Sequence, residues 1–430
     1  MHTFIIIWLG QFVSTIGSQM TFFAITIWAW EKTGSATALA LVSFFFFAPS
    51  ILTSLLAGTI VDRVNRKVLM ILSDTVTALA TLAILLIYLS NTLQIWHLYI
   101  IAAVISPFNQ IQQLSYQVSI TTLVPKHHYT RASSMGSILS YGSSIIAPAL
   151  AGSLYPMIGL VGIVLIDLVT FAIAIATLAV VPIPQPKTPR VSPNSESWRQ
   201  KLAFGFHYIG TRQSLLALLA VTSLFWLFHD VGNAVYNPMI LARTDGNAVI
   251  LGQVASAGGI GGVTGAVLVS VWGGLRRRIH GILLGMVGAG ASKILFGLGQ
   301  MPSIWIPAQF CSSLNFPLLG SSNQAIWFAK VEPEVQGRVF AVSFFLRQIV
   351  SATGALFAGP LADRVLEPAM KPGGILAPLL GRIFGTESGA GIALLYVTCA
   401  LCMMLIGLSG YAFRRLRHVE DILPDCDAST

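Results

Sequence analysis

The sequence predicts an all-α membrane protein of twelve transmembrane helices in two parallel six-helix halves, and three observations carry that prediction. The first is composition. Of 430 residues, 55% are hydrophobic and 10% charged, with a mean hydropathy of +0.76, whereas an ordinary soluble domain is about 25% charged. The second is the length of the apolar runs. A helix needs about 20 mainly apolar residues to cross a bilayer core, and twelve such runs lie near 3–30, 36–60, 68–90, 94–116, 131–155, 158–181, 215–242, 246–272, 277–299, 302–327, 336–362 and 388–413. The third is an internal repeat: placing Arg131 on Arg338 brings Gln117 onto Gln324, Val124 onto Val331 and Gly152 onto Gly359 without a gap. Each half then holds an even number of spans, so the two share one orientation.

The runs differ in what they signal. The first is too long for a signal peptide and lacks a small-residue cleavage site, so it is expected to remain as a spanning helix. Pro107 and Pro317 fall inside the fourth and tenth spans, where proline removes one backbone hydrogen bond and permits a kink. The fifth contains Ala147-Pro148-Ala149-Leu150-Ala151-Gly152, small residues that allow close helix packing. The eighth contains Gly258-Gly259-Ile260-Gly261-Gly262-Val263-Thr264-Gly265. No Gly-Lys-Ser/Thr follows and no strand precedes it, so the small-xxx-small pairs Gly258/Gly262 and Gly261/Gly265 read as packing rather than as a nucleotide loop.

Between the halves, Pro182, Pro184, Pro186, Pro189 and Pro193 exclude helix and favour an extended connector. Trp198, Leu202, Phe206 and Ile209 follow at helical spacing beside Arg199 and Lys201, which reads as an amphipathic helix on the membrane surface; the alternative is a disordered linker. The expected organisation is 1–181, a linker of 182–212, 213–418 and a tail of 419–430.

The net charge of +9 is a topology signal. Lys and Arg collect in alternate loops: Arg63, Arg66 and Lys67; Lys126 and Arg131; Lys187 to Arg212; Arg276, Arg277 and Arg278; Lys330 and Arg338; Arg414, Arg415 and Arg417. The positive-inside rule makes these loops cytoplasmic, and an even number of spans puts both termini there too. No aromatic-basic patch supports a nucleic-acid partner. Cys399 and Cys402 form a C-x-x-C inside an apolar run without a second Cys or His pair, so they read as packing residues rather than a metal or redox site. The His127-His128 pair lacks further ligands and reads as a loop feature. No nucleophile-His-acid set and no HExxH is present, so no enzyme and no cofactor is expected.

The densest charge lies in Gly58-Thr59-Ile60-Val61-Asp62-Arg63-Val64-Asn65-Arg66-Lys67. Gly58 allows a neighbouring helix to approach, and Asp62 stands at the end of the second span. A carboxylate there can accept from the free N–H groups of another helix N-terminus, where the dipole favours negative charge. The alternative is that Arg63, Arg66 and Lys67 only anchor topology.

The segment resembles the loop 2-3 signature of the major facilitator superfamily, whose layout is two parallel six-helix halves joined by a long cytoplasmic loop. Gly10-Gln11 with Ser14 and Ile16-Gly17-Ser18, Lys32-Thr33-Gly34-Ser35-Ala36, and Val61-Asp62-Arg63 with Asn65-Arg66-Lys67 look like the drug:proton antiporter branch that includes macrolide efflux proteins and the enterobactin exporter. Val331-Glu332-Pro333-Glu334-Val335-Gln336-Gly337-Arg338-Val339 and Ala358-Gly359-Pro360-Leu361-Ala362-Asp363-Arg364 are similar to the same branch. The fifth span departs from the branch's Gly-Pro and Gly-Gly pattern. The resemblance implies alternating access in a bacterial inner membrane, with proton-coupled export of a hydrophobic or amphipathic small molecule by a monomer among membrane lipids. Import, facilitated passage or an inactive membrane scaffold are the alternatives. It also implies that Asp62 latches onto the start of span eleven near Arg338 when the cytoplasmic side is closed.

Ionisable groups within spans are costly and commonly functional. Asp230 in span seven is the leading proton-coupling candidate, with Asn233 and Asn237 on the same helical face; the alternative is a carboxylate held by His229 or Arg347 for structure alone. Arg347, about three turns into span eleven, is the second candidate, for pairing with an acid or holding an anionic substrate group. Spans one, four, seven and ten line the cavity by resemblance, which makes Gln11, Ser14 and Ser18, and Gln110, Gln113 and Gln117, cavity-lining candidates alongside Asn233 and Asn237. Asp74 is expected to pair with the nearby basic cluster. Asp167 and Lys293 are expected at the periphery, Lys293 snorkelling outward.

Overall fold

The computed structural model describes residues 2–125, 129–181, 198–332 and 335–422. His127 and His128, the proline-rich connector and Cys426 lie outside them. The described residues are almost wholly helical: α1 (His2–Thr33), α2 (Ala36–Arg63), α3 (Arg66–Leu89), α4 (Ile95–Leu123), α5 (Tyr129–Val180), α6 (Trp198–Thr211), α7 (Gln213–Arg243), α8 (Ala248–Trp272), α9 (Arg278–Leu298), α10 (Pro302–Lys330) and α11 (Gln336–Leu361). After a π turn at Ala362–Leu366 come α12 (Glu367–Met370), α13 (Ala377–Phe384), α14 (Ala390–Ala412), α15 (Arg414–Arg417) and α16 (Val419–Ile422).

Nine of the described helices are long and apolar enough to cross a membrane. The expected twelve runs map onto the helices as follows. The fifth and sixth share α5, whose helical path breaks at Gly159 (φ 63°) just after Pro156; a left-handed residue is where a helix stops most readily, and glycine adopts it without a Cβ penalty. The fourth and tenth runs are α4 and α10, each of 29 residues, which fall short on hydropathy because glutamine, asparagine and serine interrupt them.

Contacts divide the chain into two units. The first comprises Met1–Gly34, Leu41–Ser195 and Gly246–Ser256, and the second Ser35–Ala40, Glu196–Asp245 and Ala257–Thr430. In the first, α1 lies along the second segment of α5: Gly10 faces Thr177, and Gly17 faces Thr170 and Asp167. Ile7 packs with Met70, Leu178 and Val181, and Phe4 with Val124 and Ala132. The basic cluster ties helix ends together. Asn65 caps α3 by accepting from the N–H of Lys67 at 2.9 Å. Arg66 is buried and donates to the Val118 carbonyl of α4 at 3.3 Å. Lys67 donates to the carbonyls of Ala179 and Val181 at 2.8 and 2.9 Å, a cation at the C-terminus of α5, where the helix dipole favours one. Gly58 and Asp62 fall in the last turns of α2, and the Asp62 side chain lies outside the described part.

The second unit repeats that construction. Arg278, at the start of α9, donates to the Ala325 carbonyl of α10 at 3.2 Å, and Ala325 occupies the place of Val118 in the repeat. Its core gathers Phe296 between Tyr236, Trp305 and Tyr396. The glycines of the 258–265 run pack against α10: Gly258 faces Gln309, Gly261 the Phe310 backbone and Gly265 the Leu314 backbone. The linker helix α6 is not free on a surface. Leu202, Tyr208 and Ile209 are buried and Gly205 meets the Arg338 carbonyl of α11, while Phe206 stays exposed. The buried face is therefore rotated from the expected one, because Gly205 allows the α11 backbone to approach on that side.

Two further carboxylates close the unit's loops. Glu367 accepts from the N–H groups of Gly389, Gly391 and Ile392 at 2.7, 2.9 and 3.2 Å, capping α14. Asp363 accepts from Ser35 Oγ at 2.7 Å and from the N–H groups of Ala36 and Thr37 at 3.1 and 2.7 Å, capping α2. It is the same kind of helix-cap chemistry as that expected of Asp62, at another pair of helices. The sequence contained its parts in Lys32–Ala36 and Ala358–Arg364, but nothing in either run names the other as its partner.

Candidate functional site

The second unit holds a buried ion pair. Asp230 on α7 has a side chain only 12% exposed, and Arg347 on α11 meets it with both terminal nitrogens, Nη1 toward Oδ2 and Nη2 toward Oδ1, the latter at 3.1 Å. Ser351, one turn beyond Arg347, accepts from Nη1 at 2.5 Å and donates to Asp230 Oδ2 at 2.8 Å. His229 Nδ1 lies 3.1 Å from Asp230 Oδ1. The acid thus has four contacts from three side chains, the arrangement that makes a charge tolerable away from water. The helices are close at Gly354: a Cβ there would stand 3.2 Å from both the Asp230 Cβ and the Val231 nitrogen, a tight contact that would press α11 from α7 by a few tenths of an ångström.

Aromatic rings wall the pair. The Arg347 guanidinium sits 4.4 Å from the Trp226 ring centre, a cation–π contact. Trp226 stacks on Phe316 of α10 at 5.8 Å, and His229 meets Trp226 and Phe316 edge-on at 4.9 and 5.0 Å. Arg347 remains 34% exposed, so the basic partner is the open one.

The other sequence-derived residues are placed differently. Asn233 is exposed and Asn237 half-buried, and neither makes a side-chain hydrogen bond among the described residues. In the first unit Gln11 is buried and donates to Asp74 Oδ2 at 3.0 Å while accepting from Gln112 at 2.6 Å. Ser14 is buried, and Ser18 donates to Asp167 Oδ1 at 3.2 Å. The stripe on α1 therefore faces neighbouring helices of its own unit. Gln110 is half-buried and Gln113 and Gln117 are exposed; it is Gln112, which the spacing argument passed over, that joins the network.

Three expectations about ionisable groups change. Asp74 bonds to Gln11 and not to the basic cluster, where Arg66 turns to the Val118 carbonyl of α4 and Lys67 to the C-terminal carbonyls of α5. Asp167 is buried against α1. Lys293 does not snorkel: it is 5% exposed and donates to the Tyr396 hydroxyl at 3.1 Å, since Gly297, one turn on, lets α14 close over it. Cys399 is buried and Cys402 half-buried, both as free thiols in α14.

A helical, polytopic membrane protein with an internal repeat and a buried, hydrogen-bonded ion pair between two of its helices has the architecture of a membrane transporter. The chain belongs to the Major Facilitator Superfamily, whose family model matches residues 7–355. It is 27% identical over 364 residues to macrolide efflux protein A of Streptococcus pyogenes, covering 84% of this chain and 90% of that one. It is 21% identical over 416 residues to the multidrug efflux pump Tap of Mycolicibacterium fortuitum, covering 94% of each. Among solved structures, a point mutant of the nucleoside transporter NupG superposes with a TM-score of 0.69 at 12% identity, over 95% of this chain and 99% of that one. A POT family transporter crystallised with a thioalcohol-conjugated peptide gives 0.69 at 12% identity over 95% of each. At such identities the structural likeness speaks for the fold alone.

Proposed function

We propose that this transporter exports a hydrophobic or amphipathic small molecule by proton-coupled alternating access. The observation that carries this reading is the Asp230–Arg347 pair with its aromatic wall. A proton delivered to Asp230 removes the charge that holds Arg347, so the contact between α7 and α11 is one that protonation can break, the kind of two-state element that switching needs. Export is favoured by the likeness to macrolide and multidrug efflux proteins. In this reading 1–181 and 213–418 are the two moving halves, joined by 182–212, and the protein works as a monomer in a bacterial plasma membrane with both termini and the tail 419–430 cytoplasmic.

Uptake of candidate compounds into inverted vesicles, with and without an imposed pH gradient, tests the function. Gradient-dependent accumulation of at least one hydrophobic compound is expected; flux indifferent to the gradient would exclude proton coupling. The motif of Gly58, Asp62, Arg63, Arg66 and Lys67 gates the cycle in the same reading, with Asp62 as its latch. Asp62→Asn is expected to slow transport severalfold at normal abundance, and unchanged flux would leave the motif a structural tie.

A further inference from the structure

Arginine carries five N–H donors in a planar fork. In Arg347 three have partners: both on Nη1, with Asp230 Oδ2 and Ser351 Oγ, and one on Nη2, with Asp230 Oδ1. The carboxylate therefore occupies the end of the guanidinium. The two remaining donors, on Nε and the outer side of Nη2, point from one edge in parallel, and among the described residues that edge meets no acceptor. Such an edge is the second of the two places where a guanidinium binds two oxygens at once. Asp230 offers nothing comparable, since Arg347, Ser351 and His229 already take up its oxygens and it is 12% exposed against 34% for the arginine.

Resting on the functional reading above, we infer that Arg347 is the specificity-determining residue, binding the substrate through a carboxylate or another group that presents two acceptor oxygens. The Trp226–Phe316 stack beside it receives a flat apolar body. The substrate class is an aromatic or similarly flat organic acid. A lipophilic cation meets a guanidinium and a carboxylate with no free oxygen, and is disfavoured.

The test uses three tritiated probes that share one ring system: 2-naphthoate, methyl 2-naphthoate and 2-naphthylmethylammonium. Binding is measured to the full chain in lipid nanodiscs, and flux in proteoliposomes. Charge-assisted bonding predicts that the naphthoate binds at least about tenfold tighter than the ester or the ammonium. In Arg347→Lys, which keeps the charge and removes the fork, that preference falls severalfold. The wild-type comparison stands even if the variant does not fold. Equal binding of the three probes, preference for the ammonium, or no binding of naphthoate overturns the inference. Flux that requires Arg347 yet favours the ammonium overturns it while leaving the transport site in place. Flux of any probe that is untouched by both Arg347→Lys and Asp230→Asn moves the pathway elsewhere and removes the functional reading too.

Discussion

Arg347→Ala is expected to abolish transport and to lower the amount of folded protein sharply, whereas Asp230→Asn combined with Arg347→Gln is expected to restore the protein and not the transport. Removing the arginine alone leaves Asp230 charged, 12% exposed and held only by Ser351 and His229. Breaking one side of a buried pair costs about 3–5 kcal/mol, a large part of the roughly 5–15 kcal/mol that separates a typical folded domain from its unfolded state. The double substitution removes both charges, so neither is left buried without its partner; Asn keeps the shape of Asp, whereas Gln is shorter than Arg and gives up the fork. Abundance and thermal midpoint should then return most of the way toward wild type. Transport should stay at least about tenfold below it if the pair is the switched element, because no proton can change the charge of an amide. Fluorescence-detected size exclusion reports the first quantity and vesicle flux the second. A double variant that transports normally would reduce the pair to a structural tie, and one that remains unfolded would show that the charges themselves are required for assembly.

Gly152→Leu is expected to be severely damaging, as at other glycines where an added Cβ would meet backbone. In the first unit the Gly152 Cα meets that of Gly252: a Cβ on Gly152 would lie 2.8 Å from the Ala248 carbonyl oxygen and 3.1 Å from the Gly252 Cα, and one on Gly252 would lie 2.5 Å from the Pro148 carbonyl. These obstacles are backbone atoms, so no side chain can rotate away and the helices themselves must separate. Overpacking of this kind costs typically about 1–3 kcal/mol, and more when backbone has to shift. Gly152→Ala should show a reduced version of the loss and Gly152→Leu a near-complete loss of monodisperse protein. A wild-type melting midpoint for the leucine variant would mean that the crossing is looser than described. Gly359, which the repeat pairs with Gly152, faces the Thr37 backbone in the second unit. The two halves of the sequence thus keep a glycine at the same register for the same steric reason.

Much of the site was visible in the chain. Asp230 and Arg347 stood out because an ionisable residue inside an apolar run is expensive enough to need a reason. Their mutual partnership was one of several open pairings, since each could have met other groups. Ser351, Trp226 and Phe316 carried no signal: serines and aromatics are ordinary in membrane helices, and only their placement around the pair makes them part of it. Glu367 and Asp363 were passed over for a related reason. A carboxylate that caps a helix is recognised by the backbone N–H groups it reaches, and those belong to residues 22 to 327 positions away.

Local chemistry also misdirected in identifiable places. Asp74 lies eight residues beyond Arg66, near enough in sequence to imply a salt bridge, but Arg66 turns to α4 and Asp74 to α1. Lys293 has the length to snorkel, yet the helices around it close first and leave its ammonium on Tyr396.

What the sequence by itself determined were the properties that depend on one helix at a time: that the chain lives in a membrane, where its spans begin and end, that the halves repeat, and which few side chains carry charge inside them. Length, hydropathy and periodicity suffice for these because a helix satisfies its own backbone. Only the tertiary structure decided which side chains meet. Successive residues on a helix point about 100° apart, so a single position separates Gln112, bonded to Gln11, from Gln113, exposed on another face. The rotation and approach that select between them are set by neighbouring helices, and at Gly205 by the absence of one carbon atom.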